Sequence, residues 1–111
     1  MFNFLTLFAS DMERTADVYR AIGLSFINEK HGDGPIHLAH DKDGFVMEIY
    51  QKSQAICDGM MLGFEASDIS ETRAKILQTG ASLVKDIAKI DGVDRMIVAD
   101  PEGRQIYIQQ A

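Results

Sequence analysis

The chain is 111 residues long, 46% hydrophobic and 25% charged, a globular composition that excludes disorder as its default state. Acidic residues number 17 against 11 basic ones, and the resulting net charge of −6 repels nucleic-acid phosphates and anionic lipid while favouring neutral or cationic partners. A lone cysteine, Cys57, excludes an internal disulfide and suits a reducing, cytoplasmic setting. No apolar run approaches the roughly 20 residues of a membrane span, and the opening residues lack the basic start of a secretory signal.

In chain order, Phe4–Ala9 is predicted as a strand ending at Ser10-Asp11. Ser10 and Glu13 have capping-box spacing, which makes Ser10 the expected N-cap of a helix whose apolar face is Met12, Ala16, Tyr19 and Ile22. Gly23 ends it with a left-handed cap. Leu24–Asn28 predicts a second strand, Gly32-Asp33-Gly34-Pro35 a turn, Ile36–His40 a third strand, Asp41–Gly44 a turn and Phe45–Gln51 a fourth strand. Further elements are expected at Met61–Ala66, a helix over Asp68–Thr79 with face Ile69, Arg73, Ile76 and Leu77, and strands Leu83–Asp86, Asp94–Ala99 and Gln105–Gln109.

The second series repeats the first. Displaced by 57 residues, Ala9-Ser10-Asp11 falls on Ala66-Ser67-Asp68, Thr15 on Thr72, Gly23 on Gly80 and Ser25 on Ser82. At an offset of 59, Asp41-Lys42-Asp43-Gly44 falls on Asp100-Pro101-Glu102-Gly103. A strand, a turn, a helix and a glycine stop in one register indicate a duplicated β-α-β-β-β module. The expected organisation is one domain: module one over 1–50, a linker over 51–60 and module two over 61–111.

Strand alternation gives each module two faces. Leu5, Leu7, Met47, Ile49, Ile106 and Ile108 form an aliphatic set expected beneath the helices. Phe4, Phe8, Glu48, Tyr50, Met61, Glu65 and Tyr107 belong to a mixed set on the other face, expected to line a cup suited to a small molecule.

Phe4-Leu5-Thr6-Leu7-Phe8-Ala9-Ser10-Asp11, then Tyr19, then Ile22-Gly23-Leu24-Ser25-Phe26, resembles the opening of the vicinal-oxygen-chelate superfamily of glyoxalases, bleomycin-resistance proteins and extradiol dioxygenases. Asp100-Pro101-Glu102-Gly103 resembles its closing turn, so the likeness runs over nearly the whole chain. It implies an α+β fold in which two tandem β-α-β-β-β modules pair into a cup-shaped, barrel-like mixed sheet. In the enzymes of that group it also implies a divalent metal held by the first and last strands of each module. The positions that correspond are Phe4, Glu48, Met61 and Tyr107, of which only Glu48 matches. A divalent ion wants about three nitrogen or oxygen ligands, so this set predicts no metal and no cofactor, and a character nearest to metal-free bleomycin-resistance proteins.

Other residues leave alternatives open. Glu48 suits a cationic ligand group, a general base, or an internal ion pair with Arg95. Arg95 suits a ligand carboxylate or a rim salt bridge. Phe4, Phe8, Tyr50, Met61 and Tyr107 suit an aromatic clamp or a filled core. His37 and His40, three apart on a strand, point to opposite faces, and His31 lies beside a turn; all three are expected to be solvated or at strand edges. Cys57 reads as a structural or free thiol. The expectation is a homodimer that binds a cationic or aromatic small molecule, without nucleic acid or membrane, the alternative being a metal-dependent or Glu48-dependent lyase or isomerase of the glyoxalase type.

Overall fold

The computed structural model describes residues 3–52 and 61–111. Residues 53–60, which include Cys57 and most of the expected linker, lie outside the described residues. The chain divides into two compact units, one on either side of that stretch.

Module one comprises β1 (Phe4–Ala9), α1 (Met12–Ile22), β2 (Ile27–Glu29), β3 (His37–Lys42) and β4 (Phe45–Gln51). Module two comprises β5 (Met61–Ala66), α2 (Ile69–Gln78), β6 (Ser82–Ile90), β7 (Val93–Ala99) and β8 (Gln105–Gln110). Each forms a four-stranded sheet, ordered β1-β4-β3-β2 and β5-β8-β7-β6. In both, the first strand lies parallel to the last and the other pairs are antiparallel. The duplication seen in the letters is therefore a duplication of topology, and the α+β class holds.

The aliphatic faces pack as their period-two spacing requires. In module one Leu5, Leu7, Ala9, Leu38, Met47 and Ile49 are buried with Ala16, Val18 and Tyr19 of α1. In module two Ala66, Met96, Val98, Ile106 and Ile108 are buried with Ile69 and Ile76 of α2. Each fully buried aliphatic side chain contributes on the order of 1.5–3 kcal/mol.

Several boundaries move for identifiable reasons. Asp11, not Ser10, caps α1: its carboxylate accepts the Arg14 N–H at 3.1 Å, and Asp68 repeats the bond with Glu71 N–H at 3.1 Å. The buried face of α1 is Thr15, Ala16, Val18 and Tyr19, so Met12 and Ile22 lie at its margins. β2 begins three residues later than the sequence suggested, at Ile27, and includes Glu29. β6 continues to Ile90 because Asp91 and Gly92, with φ of 52° and 80°, form a tight hairpin turn to β7. Asp43 and Gly44, at 54° and 79°, do the same between β3 and β4.

Two polar ties hold module two. Arg73 on α2 grips Asp86 on β6 through two bonds of 2.7 and 2.9 Å. In the β7–β8 turn the buried Asp100 accepts the backbone N–H groups of Glu102 and Arg104 and the Arg104 guanidinium at 3.1 Å. Among the described residues no helix is long and apolar enough to cross a membrane.

The cap geometry makes a direct prediction. Asp11→Ala should lower stability by about 1 kcal/mol, the usual cost of losing an N-cap, whereas Asp11→Asn, which keeps a capping oxygen, should change it far less. Urea unfolding midpoints of the two variants check this.

Candidate functional site

Strand register builds the site on the face of module one that turns away from α1. One row across the sheet pairs Phe8 with Tyr50 and Glu29 with His37. The adjacent row runs Thr6, Glu48, Ala39 and Ile27. Ala39 is small and buried, so Glu48 can lean past it toward His37.

The result is a ring of four donors. His37 Nε2 lies 3.1 Å from Glu29 Oε1 and 3.1 Å from Glu48 Oε2. His31, on the loop after β2, places Nε2 2.8 Å from Glu29 Oε1 and 3.2 Å from Glu48 Oε2. All four ligand-type atoms lie within 4.8 Å of one another. His37 is fully buried, Glu48 nearly so, Glu29 partly exposed, and the His31 side chain is 64% exposed. Tyr50 stacks on the His37 ring at 4.2 Å and 13°, and the His31 ring lies 4.9 Å from its other neighbour, His37. The Nδ1–H of His37 donates to the Pro35 carbonyl at 3.2 Å, an acceptor that fixes the ring and leaves Nε2 for the carboxylates.

The electrostatics follow. Burial of His37 opposes its protonation, but the Pro35 carbonyl and the carboxylates of Glu29 and Glu48 outweigh it and raise the pKa above 6.5. Burial likewise raises the Glu48 pKa, yet the His31 hydrogen bond and the His37 charge and hydrogen bond prevail and hold it below 4.5. Burial and the neighbouring charges of Glu48 and Glu29 push the Tyr50 phenol above 10, so it stays neutral.

Module one thus brings together three of the residues singled out in the sequence, Glu48, Tyr50 and Phe8, whose ring is 6.2 Å from Tyr50. Phe4 shares their face on β1 but is 51% exposed. In module two, Met61 is 52% exposed on β5. Arg95 lies over the Tyr107 ring at 5.7 Å, and its buried Nε has no hydrogen-bond partner among the described residues. Tyr107 donates its hydroxyl to Gln109 Oε1 at 3.3 Å. Beside them is an open cavity of about 290 Å³ lined by Gly63, Phe64, Glu65, Tyr107 and Gln109.

The histidine expectation needs correction. His37 is neither solvated nor marginal, and within its own module Glu48 is hydrogen-bonded to both His31 and His37. His40 does point to the opposite face, where Ser25 N–H donates to its Nδ1 at 3.1 Å. Glu29 and His37 were missed as partners because the sequence reading ended the second strand at Asn28. The signal was there: two histidines flank the Gly32–Pro35 turn, and a hairpin closed over that loop sets Glu29 opposite His37.

The metal set that the sequence resemblance implies is not supplied by Phe4, Met61 and Tyr107. Phe4 offers carbon only, Met61 a soft thioether and Tyr107 a phenol hydroxyl engaged with Gln109. No sequence-family model matches the chain, and no curated protein matches it in sequence. Solved structures do match in shape. A glyoxalase/bleomycin resistance protein from Albidiferax ferrireducens superposes with a TM-score of 0.77 at 16% identity, covering 100% of this chain and 98% of that one. A glyoxalase-related enzyme from Fulvimarina pelagi gives 0.78 at 20% identity, covering 100% and 88%. A glyoxalase/bleomycin resistance protein/dioxygenase family enzyme from Burkholderia phytofirmans gives 0.75 at 15%, covering 97% and 96%. At these identities the likeness establishes the fold.

The shifts of His37 and Glu48 set a stability window for chelator-treated protein. A raised imidazole pKa stabilises fully below its unfolded value of 6.5 and loses that contribution as pH rises through the folded value. A depressed carboxyl pKa stabilises above its unfolded value of 4.5 and loses its contribution as pH falls through the folded value. Stability from this cluster should therefore peak between those two pH values and decline on both sides. Glu48→Gln should flatten the profile, as read from denaturation midpoints across pH.

Proposed function

We propose that this chain, which has the fold of the vicinal-oxygen-chelate superfamily, is a small-molecule-binding protein of the glyoxalase/bleomycin-resistance type. The observation that carries this reading is the exposure of large apolar side chains on the face of each sheet that turns away from its helix. Phe4 and Phe8 in module one and Met61 in module two are exposed, and Phe8 lies beside the Tyr50 ring. A soluble protein leaves such a surface open at a cost, and ligand contact is a common reason.

Phe8 and Tyr50 form a tilted aromatic wall at the edge of the Glu48 cluster. A planar aromatic body would lie against that wall, and the carboxylates of Glu29 and Glu48 together with the net charge of −6 would favour a cationic or neutral molecule over an anion. In module two, the Arg95 guanidinium lies over the Tyr107 ring at 5.7 Å and would favour a ligand carrying a carboxylate. The exposed Phe4 and Met61 lie on β1 and β5, strands at the edges of their own sheets, which supports a homodimer. A cytoplasmic location belongs to the same reading.

The alternative, a lyase or isomerase, gains support from the four-donor ring. A Glu48 general base gains none. A carboxylate held below its ordinary pKa by two imidazoles binds a substrate proton weakly and is a poor base near neutral pH.

The test is a thermal-shift panel of planar aromatic cations, their neutral analogues and aromatic carboxylates. A ligand present at about 100 times its Kd adds about 2.7 kcal/mol, which is a shift of several degrees for a domain of this size. At least one aromatic cation or neutral aromatic should produce that shift, and Phe8→Ala should remove most of it. Absence of stabilisation by every compound would sink the binding role.

A further inference from the structure

The geometry points to a divalent transition-metal site contained wholly within module one, formed by Glu29 Oε1, His31 Nε2, His37 Nε2 and Glu48 Oε2. It is distinct from the metal position of the superfamily, which draws on both modules, and it shares with that position only Glu48. It also goes beyond the binding role above, because the aromatic wall needs no ion.

The first argument is the shape of the ring. Nitrogen and oxygen donors alternate around it, with sides of 2.8, 3.1, 3.1 and 3.2 Å. A point at the centre of such a ring lies about 2.2 Å from each donor if the ring is square and about 1.9 Å if it is puckered to a tetrahedron, which brackets the 2.0–2.2 Å of metal–imidazole and metal–carboxylate bonds.

The second argument is proton supply. His37 Nε2 faces two carboxylate oxygens at equal distance, and a single N–H aims at one of them. His31 Nε2 stands in the same relation to the same two oxygens. Two carboxylates drawn together on a half-buried ring are satisfied at once by a central dication, which also removes their mutual repulsion.

The third argument is the support of the ligands. The Pro35 carbonyl accepts the Nδ1–H of His37, so its neutral tautomer presents the Nε2 lone pair inward. Tyr50 covers one ring face and fixes its plane. On the opposite side the exposed His31 leaves the ion open to solvent, so a coordination position is free for water or a ligand oxygen. Two imidazoles with two carboxylates suit Zn²⁺, Co²⁺, Ni²⁺ or Fe²⁺ better than the oxygen-seeking Ca²⁺ or Mg²⁺.

The experiment uses the full chain, stripped with chelator and titrated with Zn²⁺ by calorimetry and with Co²⁺ by visible absorption. The expected result is one ion per chain, a Kd in the micromolar range or tighter, and Co²⁺ bands of a nitrogen- and oxygen-ligated ion. Glu48→Gln and His37→Gln should each weaken binding at least 100-fold. Because His37 is fully buried and His31 is exposed, His31→Asn is the decisive change and should weaken binding 10-fold or more. His40→Gln, on the helix-packed face, should leave the affinity unchanged. Absence of saturable binding by the folded wild type would overturn the site, and so would full affinity in His31→Asn or an equal loss in His40→Gln.

Discussion

The His37 ring is fully buried and carries two polar nitrogens, each of which must be satisfied inside the protein. Nδ1 gives its proton to the Pro35 carbonyl, which fixes the turn between β2 and β3 against the start of β3. Nε2 then has to face Glu29 and Glu48, because those side chains flank it on the neighbouring strands. Around this one imidazole the hairpin register, the buried carboxylate, the stacked Tyr50 ring and the inward lean of His31 are all organised. Removing the ring would leave two acidic groups without their central partner, which costs more than the hydrogen bonds alone.

The two modules share a topology and differ in what their solvent-side faces hold. In module one β2 is short, and its three residues suffice to bring Glu29 opposite His37. In module two the equivalent strand, β6, is three times as long, and its position opposite β7 carries Ala88 against Arg95. The first copy therefore concentrates imidazoles and carboxylates, while the second presents a guanidinium over a phenol and an open cavity. Duplication supplied two equivalent frames, and substitution at face-equivalent positions gave them different chemistry.

Much of this was legible in the letters. The alternation of Leu5 and Leu7 with Phe4 and Phe8 sorts core from solvent side because a strand's period is two, whatever surrounds it. The same rule placed Glu48 on the mixed face. The N-cap was off by one because serine and aspartate both cap helices and adjoin here, and only the backbone decides which oxygen reaches the third N–H. The four-donor ring was illegible for a different reason. It depends on which residue of β2 stands opposite which residue of β3, and that register is set by the conformation of the Lys30–Ile36 loop. Pairing His37 with His40, its neighbour in sequence, hid its true neighbour across the hairpin.

The irregular pairing of β6 has a consequence for behaviour at high concentration. This outer strand exposes Val84 and Ile90, and a flat ribbon of that kind would recruit further chains edge to edge. Its register against β7 shifts twice, between Leu83 and Lys85 and again between Lys85 and Ala88, and Lys85 and Lys89 project from it. A strand that is kinked and charged cannot act as a template for straight stacking, so the longest edge strand among the described residues is also guarded against fibre growth.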